Sequence, residues 1–307
     1  MKTDRSFARL ASVTLVFNLG VILWGAFVRA TGSGAGCGDH WPTCNGQIIP
    51  RAPTIQTAIE LTHRATSGLA LILVVAMVVL SRRRFERGHA ARTGAHFTGA
   101  LIVVESLLGA GIVLLRLVAG NTSTTRGWYL AAHLTNTFLL VAALSLTVWW
   151  AWGGARIRRP RGGVGAALVV GLVSTVLLAV SGGIAALGDT LFRANSVAEG
   201  IAMDFSPSSH VFLRLRLWHP VLAVGVGIYL TVMAWTVRHL RPTRSNGHLA
   251  SALTALFVTQ LGLGVANVFL LAPTWLQLVH LLVADLVWIA LVLFVASSLG
   301  EDPSPAR

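Results

Sequence analysis

Residues 61–81 read LTHRATSGLALILVVAMVVLS, a run of mostly apolar residues long enough to cross a lipid bilayer as a helix. The hydrocarbon core of a bilayer needs roughly 20 such residues in helical form. The run does not alternate between apolar and polar residues, so a membrane strand is excluded. It therefore predicts a membrane-spanning helix with a histidine, His63, near its start.

Seven further runs of this kind occur in the 307-residue chain, in which 54% of the residues are hydrophobic and 11% are charged. Soluble domains have about 25% charged residues. This composition excludes a disordered chain, and two cysteines are too few for a disulfide scaffold. The eight predicted spans lie at about 10–30, 61–81, 95–118, 128–152, 164–187, 217–238, 250–271 and 275–298.

The net charge is +13, and the basic residues are unevenly divided between the two sides of the predicted spans. About two thirds of the basic residues, Lys2 and Arg307 among them, lie on the side of the N-terminus, mostly in the turns around 82–84, 156–161 and 238–244. Basic turns stay cytoplasmic during insertion, so we expect a multi-pass protein of the cell membrane with both termini cytoplasmic. No helix-turn-helix or zinc-finger pattern accompanies the charge, so lipid rather than nucleic acid is the expected surrounding partner.

The spans divide into two similar sets of four, over residues 1–155 and 156–307. The third and seventh spans carry matching glycine pairs, Gly109-Ala110-Gly111 and Gly262-Leu263-Gly264. The fold prediction is an all-α membrane protein of eight transmembrane helices, built from two tandem four-helix bundles.

Each predicted bundle contains two histidines near the starts of its even-numbered spans. They are His63 and His133 in the first bundle and His219 and His280 in the second. All four fall at one depth, in the outer leaflet. One intramembrane histidine often serves only in packing, but repetition at matching positions favours a ligand role. Zinc prefers three or four ligands, whereas haem iron takes two imidazoles on opposite faces of a flat ring, so the pattern indicates haem.

Haem carries two propionates, which need cations at a polar boundary. Three arginines lie at the level of the histidines, namely Arg64, Arg214 and Arg216. They are candidates for binding propionate, and simple snorkelling at the helix ends is an equal alternative.

The two bundles differ in charge beside the first histidine. Glu60 precedes His63 by three residues and shares its helix face, whereas Arg216 holds the matching position before His219. A carboxylate beside a membrane site is a candidate for catalysis. The alternative is a structural pair of Glu60 with Arg64. The asymmetry suggests chemistry in the first bundle and a permanent electron-transfer cofactor in the second.

The first outer loop contains two cysteines, Cys37 and Cys44. On the oxidising side of a membrane they can form a disulfide that closes a small loop. Their spacing fits neither a zinc knuckle nor covalent haem attachment. A structural crosslink and a redox role beside the first site both remain open.

These motifs together resemble the haem A synthase family, in the bacterial form with a cysteine pair. The motifs, in chain order, are the Gly-Ser-Gly…Cys-x6-Cys loop with Trp41-Pro42, Glu60-Leu61-Thr62-His63-Arg64, His133-Leu134, His219-Pro220 and His280 to Leu286. The resemblance covers nearly the whole chain.

The resemblance implies that one haem b is bound between His219 and His280 as cofactor. It implies that haem O is the substrate in the first bundle, with His63 and His133 as axial partners and Glu60 essential. Two hydroxylations and a dehydration would convert the C8 methyl of haem O to the formyl group of haem A for cytochrome oxidase. The oxidation needs an electron acceptor, and a complex with haem O synthase or a homo-oligomer is compatible with the pattern.

Two other functions fit parts of the pattern. A di-haem b-type electron carrier explains the four histidines but has no need for Glu60. A haem transporter fits the duplication, although repeats that run in the same direction and few breaks in the helices argue against it.

Overall fold

The computed structural model describes residues 4–300. Lys2 and Arg307, which contribute to the predicted charge bias, lie outside that range, as do the outermost residues of the two predicted bundles. The described chain is all-helical. Its helices are α1 Arg5–Ala30, α2 Ile55–Arg84, α3 Ala90–Leu114, α4 Thr124–Ala151, α5 Gly162–Leu191, α6 Val197–Phe205, α7 Val211–Leu240, α8 Arg244–Phe269 and α9 Thr274–Ser298, with a 3-10 turn at Ser33–Ala35.

The eight predicted spans are confirmed as helices, since all helices but α6 are long and apolar enough to cross a membrane. Several begin earlier than predicted. Helix α2, for example, begins at Ile55, where the Thr54 hydroxyl caps it by accepting from the Thr57 N–H at 3.1 Å. Hydropathy alone marks only the apolar part of such a helix. The short α6, in a segment expected to be a loop, was not predicted.

The long helices pack in two rings of four. Helix α1 contacts α2 and α4, and α3 contacts both α2 and α4. In the other ring, α5 contacts α7 and α9, and α8 contacts both α7 and α9. The first ring means α1–α4 and the second ring means α5 with α7–α9. The rings meet where α4 packs on α5 and α9, and where α1 packs on α9.

Apolar side chains fill the junction between the rings. Phe138 on α4 and Trp288 on α9 contact each other with ring centroids 5.3 Å apart, and the Trp288 indole donates a 2.7 Å hydrogen bond to the Phe138 carbonyl. The outward faces are apolar too, with residues such as Val16 and Leu107 more than 60% exposed. Exposed apolar area on this scale suits a lipid environment.

The segment between α1 and α2 lies at one end of the helices, termed the loop end. Because the spans alternate in direction, α2, α4, α7 and α9 all begin at the loop end. The Arg-rich turns after α2, α4 and α7 lie at the opposite end, termed the arginine end. The histidines near the helix starts are therefore close to the loop end.

The repeat has a register that differs by two residues from the one expected. Helices α3 and α8 end in the same left-handed turn, with φ of 54° at Arg116 and 58° at Leu271. Counting back from that turn, Gly109 matches Gly264 and not Gly262. The predicted match of Gly109-Ala110-Gly111 with Gly262-Leu263-Gly264 is therefore wrong by two positions, because both segments are rich in glycine and the pattern has no unique alignment.

Candidate functional site

The structure brings the four histidines together in the pairs expected. His63 lies close enough to His133 to interact electrostatically, and so does His280 with His219. Each pair is within one ring and each histidine is within the first three turns of its helix. Their use as iron ligands stays a prediction.

Each histidine faces a glycine on the preceding long helix of its ring. An added Cβ at Gly25 would lie 2.9 Å from His63, and one at Gly182 would lie 2.8 Å from His219, closer than real side chains approach. The four pairs are Gly25 with His63, Gly109 with His133, Gly182 with His219 and Gly264 with His280. Gly25 and Gly182 leave room for the imidazoles inside the rings, where a flat ligand would also need space. A Cβ at Gly109 or Gly264 would make an ordinary contact with its histidine, at 3.7 or 3.5 Å.

His133 is held by a carboxylate. Its Nδ1 lies 2.9 Å from Oε1 of Glu105 on α3. The Asn136 side-chain amide donates to Oε2 of the same carboxylate at 2.6 Å, and the Thr137 hydroxyl hydrogen-bonds Oε1. Glu105 lies within the predicted span 95–118, and no motif in the sequence pairs it with His133.

The second ring uses neutral partners instead. The Ser181 hydroxyl lies 2.9 Å from Nδ1 of His219, and the Gln260 side chain lies 3.2 Å from Nε2 of His280. Nδ1 of His63 and Nδ1 of His280 are buried without a hydrogen-bond partner. Buried polar atoms in proteins are nearly always paired, so these nitrogens fit a site whose ligand completes them.

Glu60 is buried at the loop end of α2. Its carboxylate pairs with Arg64 through one oxygen and accepts from the Cys37 N–H at 2.8 Å through the other. Arg64 also donates to the carbonyls of His40 and Thr43, each at 2.6 Å. The structural pair that the sequence left as an alternative is thus present. A catalytic role for Glu60 and a propionate role for Arg64 stay predictions.

Cys37 and Cys44 form a disulfide, and both residues are fully buried. The loop is fixed to α2 beside it, because the Thr57 hydroxyl donates to the Gly36 carbonyl at 2.8 Å. A Cβ at Gly36 would overlap the backbone of α2. The loop therefore packs directly on the start of α2, next to the first histidine pair.

An exposed ion pair fixes the same loop to the end of α3. The Arg116 guanidinium hydrogen-bonds the Asp39 carboxylate and holds the pKa of that carboxyl below its usual value.

The other two predicted propionate arginines already have partners. Arg214 donates to the Pro207 carbonyl at 2.5 Å. Arg216 forms ion pairs with Asp189 at 2.6 Å and Asp204 at 2.5 Å, and so ties α6 and the end of α5 to α7. A propionate at Arg216 would have to share the guanidinium with two carboxylates.

The sequence reasoning missed Arg29 as a contact between the rings. It donates to the Ala186 carbonyl at 2.7 Å, the Thr190 hydroxyl at 2.7 Å and the Gln277 side chain at 3.0 Å, reaching from α1 to α5 and α9. An arginine inside the last turn of a membrane helix was the available signal.

Three relatives place the chain among known proteins. A protein of Thermus thermophilus named protoheme IX farnesyltransferase is 48% identical over 303 residues, which cover 97% of this chain and 50% of the relative. Proteins named heme A synthase from Bacillus mycoides and Bacillus cereus are 42% identical over 105 residues, 34% of each chain. The chain thus spans about half the length of the Thermus relative.

The family model described as cytochrome oxidase assembly protein, COX15-CtaA, matches residues 8–292. The resemblance to haem A synthases that the sequence motifs predicted is confirmed by this match and by the two Bacillus relatives. The chain therefore belongs to the COX15-CtaA family of cytochrome oxidase assembly proteins.

Proposed function

We propose that this protein is a haem A synthase that oxidises the C8 methyl of haem O to a formyl group by two hydroxylations and a dehydration. The observation that carries the proposal is the repeated pair of histidines, each facing a glycine, with an acidic partner for His133 in the first ring and neutral partners in the second. The heme A synthase relatives support the same reaction class.

The proposal divides the work between units 1–155 and 156–307. In the first ring His63 and His133 hold the substrate haem, and in the second ring His219 and His280 hold one haem b. The unpaired buried nitrogen in each ring supports a ligand there. When bound, haem b supplies electron transfer toward an acceptor, which is chemistry that side chains lack.

The chain's own residues orient the substrate and exclude water. The disulfide loop packs over the start of α2 and covers Glu60, which is 3% exposed. From that position the Glu60 carboxylate would accept a proton or balance positive charge that develops near the substrate. The farnesyl tail of haem O is lipidic and suits entry from the bilayer.

The orientation expected from the basic turns has support from the loop. The disulfide lies at the loop end, opposite the arginine end. Disulfides persist on the oxidising face of a membrane, whereas basic turns stay cytoplasmic. Both features favour cytoplasmic termini in a bacterial plasma membrane.

The name of the Thermus relative suggests farnesyl transfer as a second candidate. That relative has about as many residues again outside the matched region, since the match covers 50% of its length. We infer that the unmatched half carries the farnesyl transfer and this chain carries the oxidation. A haem O synthase is then the natural neighbour of this protein, because it makes the substrate.

The deciding experiment is extraction of the haems from protein purified from cells that make haem O, with identification by mass. The wild type should contain haem b together with haem O, its hydroxylated form or haem A. H219A and H280A should lose haem b, and H63A should keep haem b and lose the converted haems. H248A, which changes an exposed histidine in the first turns of α8 at the arginine end, is the matched control.

The same extraction separates the competing functions. Two tightly held b haems with no converted haem would overturn the proposal in favour of an electron carrier. Unconverted haem that exchanges freely at both rings would favour a transporter.

A further inference from the structure

The Glu105 carboxylate holds the second histidine of the first ring, and its counterpart in the second ring is neutral. We propose that Glu105 is a positioning residue that makes His133 a stronger donor to iron than His280, so that haem in the first ring is held more firmly in the ferric state. The inference rests on the proposed function, because it assumes that His133 binds haem iron.

The Glu105 carboxylate is held in place by three residues of α4, His133, Asn136 and Thr137. His133 Nδ1 lies 2.9 Å from its Oε1, so the opposite ring nitrogen, Nε2, is left free toward a ligand. Asn136 holds Oε2 at 2.6 Å and also donates to the Leu101 carbonyl at 2.9 Å, which ties the carboxylate to both α3 and α4. The carboxylate is therefore a fixed acceptor and not a mobile surface acid.

The matched position in the second ring is Gln260. It follows from the register set by the left-handed turns, in which Arg116 corresponds to Leu271 and Glu105 to Gln260. The Gln260 side chain lies 3.2 Å from Nε2 of His280, and its own carbonyl oxygen is buried without a partner. The repeat thus keeps a polar side chain beside the histidine, but Gln260 is neutral and contacts Nε2 of His280, whereas Glu105 contacts Nδ1 of His133.

A carboxylate that accepts the second ring proton of a metal-bound histidine raises the basicity of that ligand. A more basic ligand stabilises ferric iron over ferrous iron, and hydrogen bonding of this kind is one of the ways a protein sets a haem potential. A neutral carboxamide has a smaller effect. Electron transfer from the first ring to the haem b of the second ring would then be downhill.

The test exchanges the two side chains and reads the haem potentials. Haem B (iron protoporphyrin IX) is added to the full-length H219A/H280A protein, in which only the first ring can bind it, and the ferric fraction is followed by absorbance during a redox titration. E105Q in this background should lower the ferric-to-ferrous ratio at a fixed potential about tenfold, which is a rise of about 59 mV in the midpoint. Haem affinity should fall roughly tenfold. E105D keeps the charge, so its midpoint should lie between those of E105Q and the protein with Glu105.

The reciprocal change is made in the otherwise intact protein. Q260E should lower the midpoint of the resident haem b. This arm does not depend on haem binding in the first ring, and it decides the proposal if E105Q fails to fold.

The outcomes separate the inference from the proposed function. An unchanged midpoint in E105Q with haem bound would overturn the role of Glu105 and leave haem A synthesis standing. No haem binding by the H219A/H280A protein would overturn both. An unchanged midpoint of haem b in Q260E would show that charge at this position does not act on the histidine. That result would also overturn the inference.

Discussion

The Glu60 carboxylate accepts a 2.8 Å hydrogen bond from the backbone N–H of Cys37, so the disulfide loop is fastened to α2 one turn before the first histidine. The other carboxylate oxygen pairs with Arg64, which itself binds two loop carbonyls. Glu60 is therefore both an anchor for the loop and the acid closest in sequence to the proposed substrate site. A single substitution at this position changes both properties, and two variants are needed to separate them.

We predict that E60A destabilises the protein and E60Q does so much less. E60A leaves the Cys37 N–H without its acceptor and the Arg64 guanidinium with only its two loop carbonyls and no counter-ion. Removal of one partner of a buried ion pair costs about 3–5 kcal/mol. The amide of E60Q still offers an oxygen to Cys37. Both variants should retain haem b, and both should lose haem A, since neither can accept a proton. Thermal unfolding and haem extraction measure the two effects, and full haem A production by E60Q would contradict the proton-accepting role.

Hydropathy and motif order were enough to predict the number and order of the spans, because each span is a continuous apolar run that the membrane requires. They were also enough to predict which two histidines would lie in each ring. The partners of those histidines were harder to predict, because a hydrogen bond between helices depends on rotation about the helix axis.

The contact between Glu105 and His133 has a signal in the sequence, namely the position of each residue in its helix. It lies nine residues before the end of α3, and His133 lies nine residues after the start of α4. Two antiparallel helices joined by a short turn place such residues at equal depth, so the pairing could have been predicted from the spacing. The contacts of Arg29 could not, because they join two rings whose relative position no local pattern specifies.

We predict that G182A lowers the haem b content of the purified protein. Its Cβ would lie 2.8 Å from the His219 ring, which must then rotate or shift. Mutation of a residue that positions a metal-binding histidine typically lowers the affinity for the metal about 10- to 100-fold. The matched control is G225A on α7, where an added Cβ has nothing within 4 Å. Absorbance of the reduced haem per mole of protein measures the effect, and equal haem content in the two variants would show that the glycine is not needed for the site.

We predict that the double variant C37S/C44S keeps haem A production and loses stability. The chain-entropy estimate for so small a disulfide loop is about 2–3 kcal/mol. Both cysteines are fully buried and the loop has further anchors in Glu60, Arg64 and Thr57, so it should stay in place without the crosslink. Thermal unfolding with and without reductant, together with haem extraction, checks this. Loss of haem A at an unchanged unfolding temperature would instead favour a redox role for the pair.

We predict that Arg29 stabilises the contact between the two rings and that R29A unfolds at a lower temperature than the wild type. The guanidinium makes three hydrogen bonds to α5 and α9, and a hydrogen bond from a charged donor contributes about 1.5–3 kcal/mol. Removal of the charge also removes its desolvation cost, which offsets part of the loss, so we expect a net change of about 1–3 kcal/mol. For a chain of this size the unfolding temperature changes by about 2–4 °C per kcal/mol, so it should fall by several degrees in R29A.

R29K keeps the charge but cannot reach three acceptors in a plane, so its unfolding temperature should lie between those of R29A and the wild type. R193A, at an exposed position near the loop end, is the control for loss of one cation. If R29A and R193A unfold at the same temperature, the hydrogen bonds of Arg29 contribute nothing measurable to the contact between the rings.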